Sequence, residues 1–438
     1  MRDQEPSPME AERRLSTREA AELLGVKPET VYAYVSRGQL SSRRVSGGRG
    51  STFDAGEVEA LARRNRRDSS GGSGPGGSGP SGGSGSGSSG GGNPGGELSV
   101  RTRLTLIERD RYFFRGVDAV DLATRHTYEE VAEWLWTGRM LPGSTFTAPT
   151  AFVSVARRAV EALPEHAAPA DLLRVATVAA ATADPLRFDL SEDAVLGTAR
   201  TLIPTLVAAL PPRGHERRDE GPMAHRLWTR LSMRKDPDEA SLRALDGALA
   251  LLVDHDLAAS TLAVRVAASA RAHPYAAVSA GLGVIEGPLH GAASGLAHRL
   301  LQDVLEQGDA APVIADELRA GRRVPGLGHR LYPGEDPRAR ALFALMERIP
   351  RAEPALLAAR DIVETTARHV PLHANVDLAL AVLTVSSGMA PTAGETIFAV
   401  ARTAGWIAHA LEEYGERPLR MRPSGLYAGP KPPQPLPE

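Results

Sequence analysis

Cysteine is missing altogether from this 438-residue chain. Its absence removes disulfides, thiolate metal ligands and cysteine nucleophiles together, and it suits a reducing compartment. Lysine is nearly missing too, with three residues against 48 arginines, so an arginine at any single place carries little information. No apolar run approaches the roughly 18 residues a membrane span needs, and the opening MRDQEPSPMEAERR lacks the apolar core of a secretion signal. A cytoplasmic protein with no membrane partner is expected. The formal charge of −2 is too near zero to mark the whole chain as a binder of nucleic acid or lipid, so charge has to be read locally. Chemistry is left to His, Asp, Glu and Arg, in a chain 42% hydrophobic and long enough for a sizeable core.

Residues 69–96 contain only Gly, Ser, Pro and one Asn, a composition with nothing to build a core from. They read as a flexible linker with a root-mean-square span of roughly 30 Å, separating residues 1–68 from residues 97–438. In the first piece, Ser16 and Glu19 form a capping-box pattern opening a helix through Leu24, with Gly25 at its end. Pro28 fits the first turn of a second helix carrying Val31, Tyr34 and Val35, stopped by Gly38. A basic extended stretch, Ser41 to Thr52, follows, and then Asp54 and Glu57 open another helix. From Lys27 to Arg67 there are nine Lys or Arg against four Asp or Glu, so the basic face is local.

This segment resembles the small winged helix-turn-helix modules of the excisionase and MerR type. The resemblance implies that Thr30, Tyr32, Tyr34 and Arg37 face DNA and that Arg43, Arg44 and Arg49 neutralise phosphates. The alternative is a helical module that binds protein, with Tyr32 and Tyr34 packed inside.

From Glu97 to about Tyr427 the pattern is Ala-, Leu- and Arg-rich and broken by Pro and Gly, which predicts a large all-α domain. A proline-rich tail, residues 429–438, is not expected to stay helical. Four stretches concentrate His, Asp and Arg near breakers: DHDLAAST around His255, EGPLHGAASG around His290, VPGLGHRLYPGEDPRA around His329 and Arg338, and LHANVDLAL around Asp377. Gly326, Gly328 and Pro325 put His329 on a loop, not a helix face. Arg402 and Arg422 follow in ARTAGWIAHALE and RPLRMRPSGLYAGP.

In this order, and beginning with YFFRGVDAVDLATRHTYEEVAEWLWTGRMLP, these motifs resemble the citrate synthase family over residues 98–430. The resemblance implies a helical fold with a small domain over about 288–385 and a large domain from the rest. It implies a homodimer that condenses an acyl-CoA, most simply acetyl-CoA, with oxaloacetate and hydrolyses the thioester to citrate and CoA. By motif matching, His290 and His329 are the catalytic histidines and Asp377 the catalytic base. His255 hydrogen-bonds the oxo-acid, while Arg338, Arg402 and Arg422 bind its carboxylates, Arg422 from the neighbouring subunit and with Arg420 as a near alternative. Val324, Pro325, Gly326 and Gly328 correspond to the segment that admits CoA, and neither a bound cofactor nor a metal is called for.

The residue types fit that chemistry: a base for the methyl proton, a donor for the enolate, a donor for the ketone, and planar cations for a dicarboxylate. The family pattern is departed from at Ala258, at Gly291-Ala292-Ala293-Ser294 and at His373-Ala374, which leaves acetyl-CoA and propionyl-CoA, hence citrate and 2-methylcitrate, unseparated. His298, His409 and the tryptophans Trp134, Trp136 and Trp406 read as packing or, for the histidines, surface residues, and Asp336 as a turn residue. A different reading is a transcriptional regulator in which the helical half senses a keto acid or CoA ester.

Overall fold

The computed structural model describes residues 14–24, 26, 31, 34, 40, 42–44, 51–59, 61–62, 100–108, 110–214, 219–287, 293–424, 427–434 and 436. Gly25, Pro28, Thr30, Tyr32, Arg37, Arg49, the stretch 69–96 and His290 lie outside the described residues, as do the side chains of Arg43 and Arg44. The chain divides into two compact units, Met1–Glu97 and Leu98–Glu438.

In the first unit, β1 (Arg14–Ser16), α1 (Thr17–Leu24), β2 (Ser42–Arg44) and β3 (Ser51–Asp54) build an antiparallel sheet in the order β1-β3-β2 beside a helix. The Ser16–Glu19 box is formed in both directions, with Glu19 N–H on Ser16 Oγ at 3.3 Å and Ser16 N–H on the Glu19 carboxylate at 2.8 Å. Glu57 N–H bonds Asp54 Oδ1 at 3.1 Å, the second expected cap. Leu15, Leu24, Val31, Phe53, Val58 and Leu61 close a small core. Tyr34 is half-buried and packs against that core.

The second unit opens with a small antiparallel sheet that the helical pattern did not announce: β4 (Thr105–Glu108), β5 (Arg111–Phe114) and β6 (Val117–Asp118). The alternation of Tyr112 and Phe114, both buried, with the exposed Arg111 and the half-buried Phe113 is the period-two signal that marks it. The rest is helical. The first group runs α2 (Ala119–Arg125), α3 (Tyr128–Thr137), α4 (Thr150–Glu161), α5 (Pro169–Ala183), α6 (Glu192–Ala209), α7 (Met223–Leu231), α8 (Glu239–Leu252), α9 (Ala259–Ser269) and α10 (Pro274–Ile285). After it come α11 (Ala293–Gln307), α12 (Ala310–Arg319), α13 (Pro337–Met346), α14 (Glu353–Ala367), α15 (Val376–Ser386) and α16 (Ala393–Tyr414).

Helix α16 is the axis of the unit. It is apolar on nearly every face and packs against α3, α5, α6, α8, α9, α10, α11 and α15. Small residues let neighbours come close: a β-carbon on Gly405 would sit 2.1 Å from Val253 O and 3.1 Å from Asp254 Cβ. Trp406 and Trp136 are buried and Trp134 is partly buried against the same core, as expected of packing residues.

One buried carboxylate makes this core sensitive to pH. Glu129 on α3 is 1% exposed; its Oε1 accepts the Met223 N–H at 2.8 Å, and Oε2 has no partner. Burial, reinforced by Asp246, raises its pKa to about 7. A raised acid favours the folded state below its unfolded value near 4.5, and that contribution is lost as pH rises through about 7. The shift is equivalent to about 3 kcal/mol across that window. Wild-type melting temperature should therefore fall between pH 5 and 8, whereas Glu129→Gln, which keeps the acceptor for Met223, should make that fall shallower in a thermal-melt series, the remainder coming from Asp246 and Asp377, each raised to about 6.

Candidate active site

Five of the residues singled out in the sequence, from four separate segments, line one cavity of about 770 Å³: His255, His329, Arg338, Asp377 and Arg402. His255 sits on a short strap between α8 and α9, where Asp256 adopts a left-handed φ of 59°. His329 and Arg338 come from the loop into α13, Asp377 from the first turn of α15, and Arg402 from the buried middle of α16.

The His329 loop is fixed from both sides. Gly326 and Gly328 take φ of 80° and 77°, a region costly for side-chain-bearing residues, and a β-carbon on Gly326 would meet Leu378 Cβ at 2.8 Å. The loop pairs with the turn before α15: Asn375 N–H on Gly326 O at 2.9 Å, Gly328 N–H on His373 O at 2.8 Å, and Asn375 Nδ2–H on Gly328 O at 2.9 Å. Asn375 also caps α15 by accepting the Asp377 N–H at 2.9 Å. One asparagine thus ties Asp377 to the His329 loop.

His329 Nδ1 accepts the Leu331 N–H at 3.1 Å, so a neutral ring carries its proton on Nε2 and is a donor there. Burial, then Arg338, lowers its pKa to about 4, so the ring is neutral near pH 7. His255 is likewise held well below the usual imidazole range, by burial first and then by Arg338 and Arg402. Its Nε2 is already engaged by the Tyr332 hydroxyl at 2.7 Å, and its ring meets that of His329 edge-on at 5.2 Å. Burial pushes Asp377 up to about 6 against the pull of Arg338. That value suits a carboxylate base working near neutrality.

Arg338 and Arg402 differ in what they leave available. Arg338 is gripped by Asp336, with Nε on Oδ1 at 3.0 Å and Nη2 on Oδ2 at 2.7 Å, and both are buried. Asp336, which read as a turn residue, caps α13 through the Arg338 N–H and also accepts the Val376 N–H at 3.1 Å. Burial would raise its pKa, but Arg338 overrides this and holds it below the usual range. Arg402 gives Nε to Leu252 O at 2.9 Å and lies over the Phe398 ring at 4.6 Å, while its Nη2 is buried without a partner. Burial lowers it to about 10, still a cation at pH 7. An unpaired buried guanidinium edge on a cavity wall has the chemistry to receive a carboxylate.

A second cavity of about 750 Å³ shares Ala293 and Asp377 with the first and is walled by Val324, Pro325 and Gly326 together with Arg299, Arg322 and Arg323. Gly328, expected with them, is absent from that wall and serves the pairing with His373 instead. Arg422 is exposed and lines neither cavity; Arg420 is bound to Glu413 at 2.6 Å. Among the departures, Ala258 does line the central cavity, whereas the His373 side chain belongs to a separate hollow with Glu335, Phe343 and Val363. Among the described residues no three His, Asp or Glu gather as a metal site, and no helix is long and apolar enough to cross a membrane.

Sequence reading missed Tyr332, Asn375, Asp254 and His409, and it gave Asp336 too small a role. Each lies within seven residues of one it did select, but a polar neighbour carries no period or spacing to flag it. His409, expected on packing or surface grounds, is fully buried between Asp254 and Arg265.

Known proteins match the chain in two separate stretches. The family model for the citrate synthase C-terminal domain matches residues 95–424, and one for a helix-turn-helix domain matches residues 14–66. A protein named citrate synthase from Haloferax volcanii is 30% identical over 364 residues, covering 77% of this chain and 95% of its own. Relatives from Mycobacterium bovis and Mycobacterium tuberculosis are 36% identical over 205 residues, and there the chain spans 55% of their length. The crystal structure of citrate synthase from Pyrobaculum aerophilum superposes with a TM-score of 0.65 at 24% identity, over 78% of this chain and 92% of that one. The chain belongs to the citrate synthase family, with a helix-turn-helix domain at its amino-terminal end.

Proposed function

We propose that the helical unit condenses an acyl-CoA thioester with oxaloacetate and hydrolyses the product thioester, giving citrate from acetyl-CoA. The observation that carries this reading is the convergence of Asp377, His329 and the unpaired Arg402 edge on one cavity. Asp377 takes a proton from the carbon next to the thioester carbonyl, His290 donates to the enolate oxygen, and the Nε2–H of His329 polarises the ketone as the carbon–carbon bond forms. Water then cleaves the thioester, releasing CoA. Arg338 and Arg402 hold the keto acid's carboxylates, and the arginines of the adjoining cavity suit the phosphates of CoA.

Propionyl-CoA is the nearest competing substrate. One methylene changes binding by only about 1–3 kcal/mol, and Val284, Ala258 and Ala293 leave an apolar wall beside Asp377. The working form is a homodimer in which Arg422 serves the neighbouring site; its exposure away from its own cavity and the exposed Val178, Leu186, Phe188 and Val266 support this. The small domain over about 288–385 closes on the large one. The helix-turn-helix match and its winged sheet support a second role in binding DNA.

The test is CoA release from the purified chain with oxaloacetate and either thioester, read with a thiol-reactive dye to which a cysteine-free protein adds no background. Turnover is expected with at least one thioester, and it should survive removal of residues 1–96. Absence of release with both would sink the activity and shift weight to ligand-dependent operator binding, measured by fluorescence anisotropy.

A further inference from the structure

Helix α16 touches the strap that carries His255 at three successive positions of one face, Arg402, Gly405 and His409, spaced by three and four residues. Arg402 Nε holds Leu252 O at 2.9 Å, Gly405 admits Val253 O where any side chain would collide, and His409 Nε2 meets Asp254 Oδ2 at 3.2 Å. The strap is clamped residue by residue up to His255.

The last of these contacts is directional. An arginine only donates, so the Arg265 Nη1 contact to His409 Nδ1 at 2.9 Å makes Nδ1 an acceptor and leaves Nε2–H to donate to Asp254. Arg265 is in turn fixed by Glu413 at 3.2 Å and Glu412 at 2.8 Å. Thr105 Oγ1 donates to the same Asp254 oxygen at 2.5 Å. Two donors therefore pin Oδ2, while Oδ1 is buried with no partner, as is Nη2 of Arg402. Asp254 and Arg402 also feel each other electrostatically. Asp254 is thus a counter-charge to Arg402 that leaves the receptor edge of Arg402 open.

We infer that His409 is a positioning residue: by orienting Asp254 it sets the place of His255 and the readiness of Arg402 for the keto acid's carboxylate. The inference rests on the proposed keto-acid site but is separable from it. Gln at position 409 presents an amide oxygen to Arg265 and an N–H toward Asp254, and Ala presents neither. Asn at that position reaches less far, keeping the first contact and losing the second.

The experiment uses full-length wild type, His409→Ala, His409→Asn and His409→Gln. It measures oxaloacetate affinity by calorimetry, the KM and kcat split, melting temperature, and the ring nitrogen signals of His255 by NMR. His409→Ala and His409→Asn are expected to weaken oxaloacetate binding about tenfold or more, as loss of a hydrogen bond to a buried charge does, with kcat changed far less. The His255 signals should move in both, and His409→Gln should restore both readouts. Unchanged affinity and His255 signals in His409→Asn would overturn the inference, as would equal impairment in His409→Gln accompanied only by a lower melting temperature. If wild type itself does not bind oxaloacetate, the proposed activity fails, and the His255 signals alone decide the role of His409.

Discussion

Asp377→Asn is expected to lower turnover by roughly a hundred- to ten-thousandfold, the usual worth of a positioned general base, while leaving the affinity for oxaloacetate and the melting temperature near wild type. Asparagine has the shape of the carboxylate and keeps the α15 cap, since Asn375 bonds the backbone N–H of residue 377 and not its side chain. What it loses is the ability to accept the proton. The same assignment fixes the pH profile. Burial raises the Asp377 pKa to about 6, and only the ionised form is a base. The free-enzyme kcat/KM should therefore rise with pH and level off above about 6, falling tenfold per unit below it. His329, lowered to about 4, is neutral throughout that window and adds no second bend. A steady-state series from pH 5 to 8 distinguishes this from a site in which position 377 is structural.

Arg338→Leu should have the largest effect on folding. It removes the cation that neutralises Asp336 and strands a carboxylate that is 1% exposed, a defect typically worth about 3–5 kcal/mol. Adding Asp336→Asn in the same chain removes the stranded charge and should return part of the lost melting temperature; recovery is incomplete because the single amide oxygen can accept only one of the two N–H groups, that of residue 338 on Oδ1 or that of Val376 on Oδ2. Oxaloacetate affinity should stay poor in that double variant, since the cation is still gone. Recovery of stability without recovery of binding separates the two duties of the arginine. Recovery of both would remove Arg338 from the substrate site.

Sequence alone placed the helical class, both capping boxes in the first unit and five of the residues on the central cavity, because each leaves a local mark. A capping box has fixed spacing, a helix face recurs, and glycines beside a histidine demand special backbone. The resemblance supplied the roles and the order of the motifs. Less legible were partnerships over distance. Asp336 stands two residues before Arg338 and looked like turn chemistry; that its carboxylate grips the guanidinium depends on the chain folding back in the first turn of α13. Asp254 and His409 are 155 positions apart, and nothing in either stretch names the other. The sheet of β4 to β6 was hidden by brevity, its strands being four residues or fewer. His290 and most of the basic residues of the first unit lie outside the described residues, and their roles stand on the motif alone.

The pairing of residues 326–328 with 373–375 has a kinetic meaning. Asn375 bonds both glycine carbonyls and Asp377, and Asp336 bonds both Arg338 and the start of α15, so Asp377 and His329, the proposed base and ketone-polarising donor, are carried by one cross-tied block. Arg402 and His255 belong to another, the strap clamped by α16. On the proposed mechanism, the spacing between proton abstraction and electrophile activation is set within the first block, whereas the grip on the carboxylates is shared between Arg338 of one block and Arg402 of the other. Product escape can then be tuned by substitutions on the strap without detuning the bond-forming step, which makes residues 252–258 the place to look for differences in release rate among natural variants of this chain.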